Sequence, residues 1–501
     1  MRPNVILVTT DQQRKDSLGC YGSDFMNTPH LDRLAGEGAC FHRAYCTNPV
    51  CTPSRASLYS GKYVSRHGAW NIGVKVPDKT GFVQDELLRC GYRTHHIGKL
   101  HFQPHQGDAQ SIESRRHWRQ RFPDFTGPYY GFETVELSLG HTLQGVEGHY
   151  GLWVEAHAGT TAFEAKPRSA AAFGGEAVDW ELPAELSNAA WVKERTVRFL
   201  EAHAAERRDQ PFFLSIGFQD PHHPHALPKG SAEGLEPWRY PAPKYEEGEL
   251  LDKPPYFQTM REGGWDASHP LHGSFPMAGQ GPHRFRFDQV SAEDQQWGRA
   301  YYYRMVEKID EAMGGILEAL EALGLKDDTI VVFTSDHGEL LGDHGLWMKG
   351  PFHYEQLINV PLLIWWPGHI APTSSEEIIS LADVAPTLLS LCGVTVPPVL
   401  DGKDWSGHLT AGSPVPRQAA LIEAVDDPAG IRCTTVVTGH YKLTVHHGSG
   451  YGELYDLMLD PGEIVNRWRE PAYHDIQTEL FGLLLAELES TAYRVDRHCY
   501  G

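Results

Sequence analysis

Short apolar runs alternate with amphipathic helical segments along most of the chain. Five runs are rich in β-branched and aromatic residues and are bounded by turn residues, which predicts buried strands at 4–10, 92–98, 212–218, 329–334 and 361–366. Helices are predicted at 28–38, with Thr28 as N-cap and Pro29 at the first position, and at 189–206 and 291–323. This order favours an α/β fold, in which helices cover both faces of a large, mostly parallel sheet.

The chain changes character near residue 395. A helix at 381–393, broken at Pro386, precedes a proline-rich stretch, and then short strands are predicted at 420–425, 434–438, 441–446 and 453–457 before a helix at 476–488. We therefore expect a large domain at 1–395 and a smaller α+β subdomain at 396–501. Residues 221–290 are rich in Pro, Gly and aromatics without periodicity, and we expect this insertion to form a pocket rim.

Composition describes a globular protein and disfavours several kinds of partner. Lysine and arginine total 44 against 65 aspartate and glutamate, a net charge of −21, so neither a nucleic acid nor an anionic membrane is expected as a partner. The first apolar run is too short for a signal peptide and is followed by Asp11, so a cytoplasmic location is expected. Eight cysteines without a C-x-x-C pair predict reduced thiols rather than a disulfide scaffold.

Two predicted strands end in polar pairs, Asp11–Gln12 and Asp336–His337. The carboxyl ends of parallel strands meet at one edge of a sheet, where ligands bind in open α/β folds, so the four residues are expected to converge. Three of them offer oxygen ligands, which suits Ca²⁺ or Mg²⁺. The alternative is that each acidic residue is a polar cap where a strand meets solvent.

Cys51 lies in CTPSRA, a proline-containing turn that leads into a predicted helix. Backbone N–H groups and the helix dipole favour an anion at such a position, and Arg55, one turn further on, could hold an oxyanion by forked hydrogen bonds. A structural cysteine is the alternative.

Further residues offer cations or acid–base groups. They are Lys99 and His101 in GKLH, His222 after the strand at 212–218, Lys349 in WMKGPF, and Asn71 as an oxygen donor. His222, His223 and His225 could instead be a zinc site, but no fourth ligand lies at the usual spacing.

These residues, in this order, resemble the sulfatases of the alkaline-phosphatase-like superfamily. CTPSRA matches the signature in which a maturation enzyme oxidises the cysteine of C-x-P-x-R to formylglycine. Similar blocks extend from residue 3 to about residue 465: PNVILVTTDQQRKDSLGCYG, TPHLDRLAGEG, YRTHHIGKLHF, TSDHGELLGDHG, LADVAPTLLSLCGV and ELYDLMLDPGE.

The resemblance implies a divalent metal, usually Ca²⁺, with Mg²⁺ or Mn²⁺ as alternatives. The positions that match the family's ligands are Asp11, Gln12, Cys51, Asp336 and His337. Many sulfatases have Asp-Asp at the first pair, so Gln12 removes one negative charge from the expected metal shell.

The resemblance also implies how the reaction proceeds. The hydrate of formylglycine at position 51 has two hydroxyls, one of which attacks sulfur while the other later expels sulfate. Asp336 would take the proton of the attacking hydroxyl, and His101 would assist the second one. Arg55 and Lys99 would hold the negative charge.

His222 and Lys349 would face the leaving oxygen, with His222 as the proton donor, and both would contact the substrate together with Asn71. The expected partners are a small sulfate ester and the formylglycine-generating maturation enzyme. The tail at 493–500 could reach a neighbouring subunit of a homo-oligomer.

Two rival functions remain. A phosphonate monoester or phosphodiester hydrolase of the same superfamily can share the nucleophile and the metal site, although GKLH favours a sulfatase. A non-catalytic protein of the same fold is the other rival. Aromatic side chains of the insertion could stack on a ring of the substrate or enclose a quaternary ammonium, or they could equally pack within the insertion. They are Trp238, Tyr240, Tyr256 and Trp265.

Overall fold

A computed structural model of the chain describes residues 2–158, 165–167, 177–263, 286–415, 417–426 and 430–492. Its strands are β1 (Asn4–Thr10), β2 (Ala39–Tyr45), β3 (Arg93–Gly98), β4 (Thr134–Leu137), β5 (Ala165–Pro167), β6 (Ala177–Trp180), β7 (Phe212–Gly217), β8 (His225–Pro228), β9 (Thr329–Ser335), β10 (Asn359–Trp365), β11 (Thr373–Ser380), β12 (Ala420–Asp426), β13 (Ile431–Val437), β14 (Tyr441–His446) and β15 (Tyr451–Asp456).

The α-helices of the same residues are α1 (Pro29–Glu37), α2 (Cys51–Ser60), α3 (Val64–His67), α4 (Val83–Arg89), α5 (Trp118–Arg121), α6 (Gly148–Ala158), α7 (Asn188–Glu206), α8 (Pro255–Arg261), α9 (Ala292–Ala322), α10 (Glu355–Ile358), α11 (Val384–Leu391), α12 (Ser406–Ala411) and α13 (His474–Ser490). Among the residues that the structure describes, no helix is both long and apolar enough to cross a membrane.

A large sheet forms the centre of the molecule, with the strand order β11-β2-β10-β9-β1-β7-β3-β4. Every neighbouring pair is parallel except the two that involve β10, so the predicted α/β class with a mostly parallel sheet is confirmed. The five predicted central strands are all present. Strands β2, β4 and β11 were missed, because they are short, charged or partly exposed and give no continuous apolar run.

Side chains of β1 alternate between two hydrophobic cores, one on each face of the sheet. Val5 and Leu7 pack in the core that contains helices α2, α4 and α11, while Ile6 and Val8 pack in the core that contains α1, α7 and α9. All four side chains are fully buried. The continuous apolar run at 5–8 is therefore typical of a strand that is covered on both faces.

The structure confirms one predicted helix cap and corrects two other predictions about the helices. Ser291 caps α9 by accepting a hydrogen bond from the N–H of Asp294, as the capping pattern predicts. Thr28 precedes α1, but its hydroxyl accepts a bond from the N–H of Gly19 instead of capping the helix. Pro386 does not break its helix: a short 3-10 turn ends at Asp383, and the proline lies in the first turn of α11, where a missing N–H is tolerated.

A second, antiparallel sheet of order β12-β13-β14-β15 follows. Strands β13 and β14 form the hairpin that the glycine-containing link predicts. Helix α13 packs on this sheet through Leu480 and Leu484. The smaller C-terminal α+β unit is thus present, while its boundary at 395/396 stays a prediction.

The described part of the insertion 221–290 contains β8 and α8. Tyr240 stacks on Tyr303, and Tyr256 donates to the carbonyl of Pro351, so both pack within the protein. Trp238 is 65% exposed, and Trp265 lies outside the described residues. The described cysteines are all unpaired, in agreement with the sequence; Cys499 and the tail at 493–500 lie outside the described residues.

Candidate active site

Five parallel strands deliver polar residues to one edge of the large sheet. Asp11 follows β1 and Asp336 follows β9, and these strands pair in parallel up to Thr10 opposite Ser335. Both carboxylates are fully buried. Lys99 and His101 follow β3, His222 follows β7, and His141 follows β4. The predicted convergence at the carboxyl ends of the strands is therefore what the structure has.

Helix α2 begins at Cys51 and is buried along its whole length. The Cys51 sulfur lies 3.5 Å from Oδ1 of Asp11, to which it donates, and 3.3 Å from Nε2 of His337. One turn later, Arg55 donates from Nε to Oδ2 of Asp336 at 2.7 Å and from Nη1 to the carbonyl of Lys99 at 2.9 Å. The start of the helix thus faces both aspartates.

A candidate metal centre lies at this convergence. Ligand atoms of Asp11, Cys51, Asp336 and His337 all lie within 4.8 Å of one another. The ammonium of Lys349 borders this group, 3.0 Å from the Cys51 sulfur and 3.3 Å from Nε2 of His337. Two carboxylates are ligands that a hard divalent ion prefers, so these residues fit such an ion.

Gln12 adjoins the same centre in an unusual backbone conformation. Its φ angle of 70° lies in the left-handed region, and its N–H donates to Oδ1 of Asp336 at 3.0 Å. In the side chain, Oε1 accepts from Lys349 at 2.8 Å, while Nε2 donates to Oε2 of Glu339. A non-glycine residue in this region costs free energy, and such strain is concentrated at functional sites.

Three buried cations surround the aspartates: Arg55, Lys99 and Lys349. Lys99 contacts Oδ2 of Asp11 and lies 2.6 Å from Nδ1 of His141. Gly98 allows this arrangement, since a side chain there would meet the carbonyl oxygen of Gly217 at 1.9 Å. Three positive charges beside two carboxylates therefore suit this centre to a further anionic group.

Burial and charge shift the pKa values of these groups. Burial would raise the pKa of Asp11, but Lys99, Arg55 and Lys349 hold it far below its ordinary value. Burial lowers the pKa of Lys349, yet Cys51 and Asp11 outweigh it, so the net shift is upward. Burial, together with Asp11, raises the pKa of the Cys51 thiol to about 11. The thiol is therefore protonated at neutral pH and is a poor nucleophile.

His222 lies between Lys349 and a second imidazole. Its Nδ1 donates to the carbonyl of His223 at 2.6 Å, so its Nε2, 2.9 Å from the ammonium of Lys349, is an acceptor. Burial lowers the pKa of His222 well below its ordinary value, and the charge of Lys349 lowers it further. The ring stacks on His141 with centroids 3.6 Å apart. The ligand atoms of His222, His223 and His225 are not among the groups of described residues that lie close enough together to hold a metal ion, so the zinc triad is not formed.

His101 lies beside this group with a φ angle of 62° and two ring nitrogens that have no hydrogen-bond partner among the described residues. It stacks on His105 at 3.8 Å, and the two rings and His141 form a three-histidine cluster. The ammonium of Lys99 already lies against His141, so a second metal ion would meet a buried positive charge there. This cluster does not suit another cation.

Asn71 is not brought to the centre by any hydrogen bond. Its Oδ1 accepts from the N–H of Ile72 at 2.8 Å, and within the described chain no ion pair or hydrogen bond joins it to the other predicted residues. The remaining predicted site residues converge as expected.

Sequence reasoning missed several neighbours of the centre. They are His141, His105, Glu113 and Glu339. Glu339 could have been found from the sequence, because it lies only two residues after His337. His141 follows β4, which the sequence did not predict, and Glu113 reaches the N–H of His101 from a loop without any pattern.

Known proteins resemble the chain over almost its full length. The sequence profile of the sulfatase family matches residues 3–394, and that of the N-sulphoglucosamine sulphohydrolase C-terminal region matches residues 342–490. An uncharacterized sulfatase, YidJ, of Escherichia coli is 27% identical over 97% of this chain and 86% of that protein. An arylsulfatase of Clostridium perfringens is 26% identical over 98% and 95%.

Among solved structures, the phosphonate monoester hydrolase of Agrobacterium radiobacter superposes with a TM-score of 0.78 at 26% identity. The superposition covers 98% of this chain and 96% of that one.

Proposed function

The chain belongs to the sulfatase family of sulfuric ester hydrolases, and on this basis we propose that it hydrolyses a small sulfate ester to an alcohol and inorganic sulfate. The observation that carries the proposal is the position of Cys51 within the acidic donor set, with Lys349 3.0 Å from its sulfur. A nucleophile position, metal ligands and fixed cations in one buried cluster are the parts that hydrolysis of an anionic ester requires.

Asp11, Asp336, His337 and the side chain at position 51 would hold a divalent ion, with Gln12 at their edge. We propose Ca²⁺, because two carboxylates and an amide oxygen suit a hard cation. Bound there, the ion would supply positive charge that polarises the ester oxygens.

We propose that Cys51 is oxidised to formylglycine by a separate maturation enzyme. The buried thiol has a pKa near 11 and would attack poorly, whereas a hydrated aldehyde would supply a hydroxyl nucleophile and a second hydroxyl for sulfate release. Arg55 and Lys99 would hold the anionic groups around it, and their burial and fixed contacts with Asp336 and Asp11 support this role.

Proton delivery to the leaving oxygen is assigned to Lys349 rather than to His222. The Nε2 atom of His222 accepts from Lys349, and its pKa is depressed, so it carries no proton toward the cleft. Lys349 carries the protons of this group, because its ammonium donates to Oε1 of Gln12 at 2.8 Å and to Nε2 of His222 at 2.9 Å. His222 then positions the ammonium, and both remain substrate contacts in the proposal.

The second candidate is phosphonate monoester hydrolysis. The superposition on a phosphonate monoester hydrolase favours it, because a tetrahedral phosphonate ester could use the same nucleophile, cations and metal ligands. Lys99 and His101 in GKLH favour the sulfate ester.

One comparison separates the two candidates. Protein whose formylglycine content has been established by mass spectrometry of the Cys51 peptide is assayed with 4-nitrophenyl sulfate and with 4-nitrophenyl phenylphosphonate, each with Ca²⁺, Mg²⁺ or Mn²⁺. We expect a higher kcat/KM for the sulfate, and no turnover of either ester by Cys51→Ala. A higher kcat/KM for the phosphonate would select the second candidate, and activity in Cys51→Ala would reject the nucleophile.

A further inference from the structure

Glu339 is a buried carboxylate directly behind Gln12. Its Oε2 accepts a hydrogen bond from Nε2 of Gln12, and its Oε1 accepts one from the N–H of Leu341 at 3.0 Å. Both Gln12 and Glu339 are fully buried. Glu339 itself is not among the residues whose ligand atoms cluster around Cys51.

This contact fixes which end of the Gln12 amide faces the centre. A carboxylate accepts hydrogen bonds and an ammonium donates them, so Glu339 takes the NH₂ end of the amide and Lys349 takes the oxygen. The two contacts agree, because Lys349 donates to Oε1 of Gln12 at 2.8 Å. The amide oxygen is thereby directed toward the donor set, and the reverse orientation would lose both bonds.

The backbone around both residues is held as well. Tyr302 donates to the carbonyl of Gln12 at 2.8 Å, and Arg14 donates to the carbonyl of Glu339 at 3.0 Å. Gln12 retains its left-handed conformation under these restraints. A strained residue that is held from several sides is preorganised.

We propose that Glu339 is a positioning residue for the metal centre. It holds the Gln12 amide oxygen toward the ion, and its carboxylate, which lies behind Gln12, supplies the negative charge that Gln12 lacks. The inference rests on the metal site of the proposed function. Partners that orient a metal ligand typically change metal affinity 10- to 100-fold when they are removed.

The test measures metal affinity rather than turnover. Matured wild-type protein and Glu339→Gln are freed of metal with a chelator and titrated with Ca²⁺ and with Mn²⁺ by calorimetry. We expect the dissociation constant of Glu339→Gln to rise about 10- to 100-fold, since glutamine can present either end of its amide to Gln12 and carries no charge. Glu423→Gln is the matched control, a buried glutamate that accepts bonds from Ser65, and its affinity should equal that of the wild type.

An exchange of the two groups sharpens the test. Gln12→Glu alone would place two carboxylates in contact, whereas Gln12→Glu combined with Glu339→Gln restores a donor and an acceptor of the same lengths in exchanged positions. We expect the double variant to bind Ca²⁺ more tightly than Glu339→Gln does, with effects that are far from additive.

The outcomes are distinguishable from failure of the proposed function. If the wild type binds neither ion, the metal site and this inference both fail. If the wild type binds and Glu339→Gln binds equally well, or the two substitutions are additive, only the positioning role is rejected. A lower Tm of the metal-free Glu339→Gln protein with unchanged affinity would assign Glu339 to folding alone and would likewise reject it.

Discussion

Arg55 donates from Nε to Oδ2 of Asp336 at 2.7 Å, and the two residues are 281 positions apart in the chain. Both side chains are fully buried. The pair connects the start of helix α2 with the end of strand β9 and therefore fixes Cys51, the first residue of that helix, beside Asp336. Arg55 also pairs with Asp11, whose Oδ2 lies 3.5 Å from Nη2 of the guanidinium.

Arg55→Met is expected to destabilise the fold by about 3–5 kcal/mol, because two buried carboxylates would lose their shared counter-charge. Thermal or urea unfolding of metal-free protein measures the effect. Arg33→Met is the control, since Arg33 pairs with Glu321 at an exposed position and should cost less than about 1 kcal/mol. Equal losses in the two variants would contradict the role assigned to the buried pair.

Cys51→Ala is expected to lower kcat for a sulfate ester by at least about a thousandfold, because it removes the proposed covalent nucleophile. The matched variant is Cys46→Ala, which alters another fully buried cysteine whose sulfur donates to the carbonyl of Leu357. Cys46→Ala should remain active. Comparable turnover in both variants would remove position 51 from the mechanism.

Lys99→Met should lower kcat/KM by about 10²–10³, because a preorganised cation in a buried site contributes a few kcal/mol to charge stabilisation. Steady-state kinetics on one sulfate ester provides the measurement. Lys253→Met tests the loss of a buried lysine as such, since Lys253 lies against Tyr455. A similar kinetic loss in Lys253→Met would show that the effect is a general consequence of destabilisation.

His96 predicts a pH dependence of stability. Burial, followed by the charge of His95, lowers the pKa of His96 to about 3 in the folded protein, against about 6.5 in the unfolded chain. Between these values the unfolded state binds more protons, so stability is complete above pH 6.5 and falls as the pH decreases toward 3. The contribution lost between pH 7.5 and 5.5 is about 1 kcal/mol.

Urea unfolding at both pH values measures this loss. His96→Gln keeps a partner for the hydroxyl of Ser215 but does not titrate, so the difference between the two pH values should shrink by that amount. An unchanged difference would mean that His96 is not the group responsible.

The apolar runs predicted the centre of the sheet well, because strands such as β1 are covered on both faces and their sequence needs no polar side. The edge strand β11 was missed, since its Glu376 and Glu377 face solvent. In the site, Cys51, Asp11 and Asp336 could be predicted because each stands directly next to a recognisable element. His141 and Glu113 could not, because their positions depend on loops whose paths follow from tertiary packing.

The order in which the chain is made gives the burial of Cys51 a further consequence. Its sulfur contacts His337, which follows it by 286 positions, so the wall that covers the thiol does not exist until most of the chain has been synthesised. At about 5–20 residues per second, this delay lasts roughly 15–60 s. We expect the proposed oxidising enzyme to reach Cys51 before this wall forms.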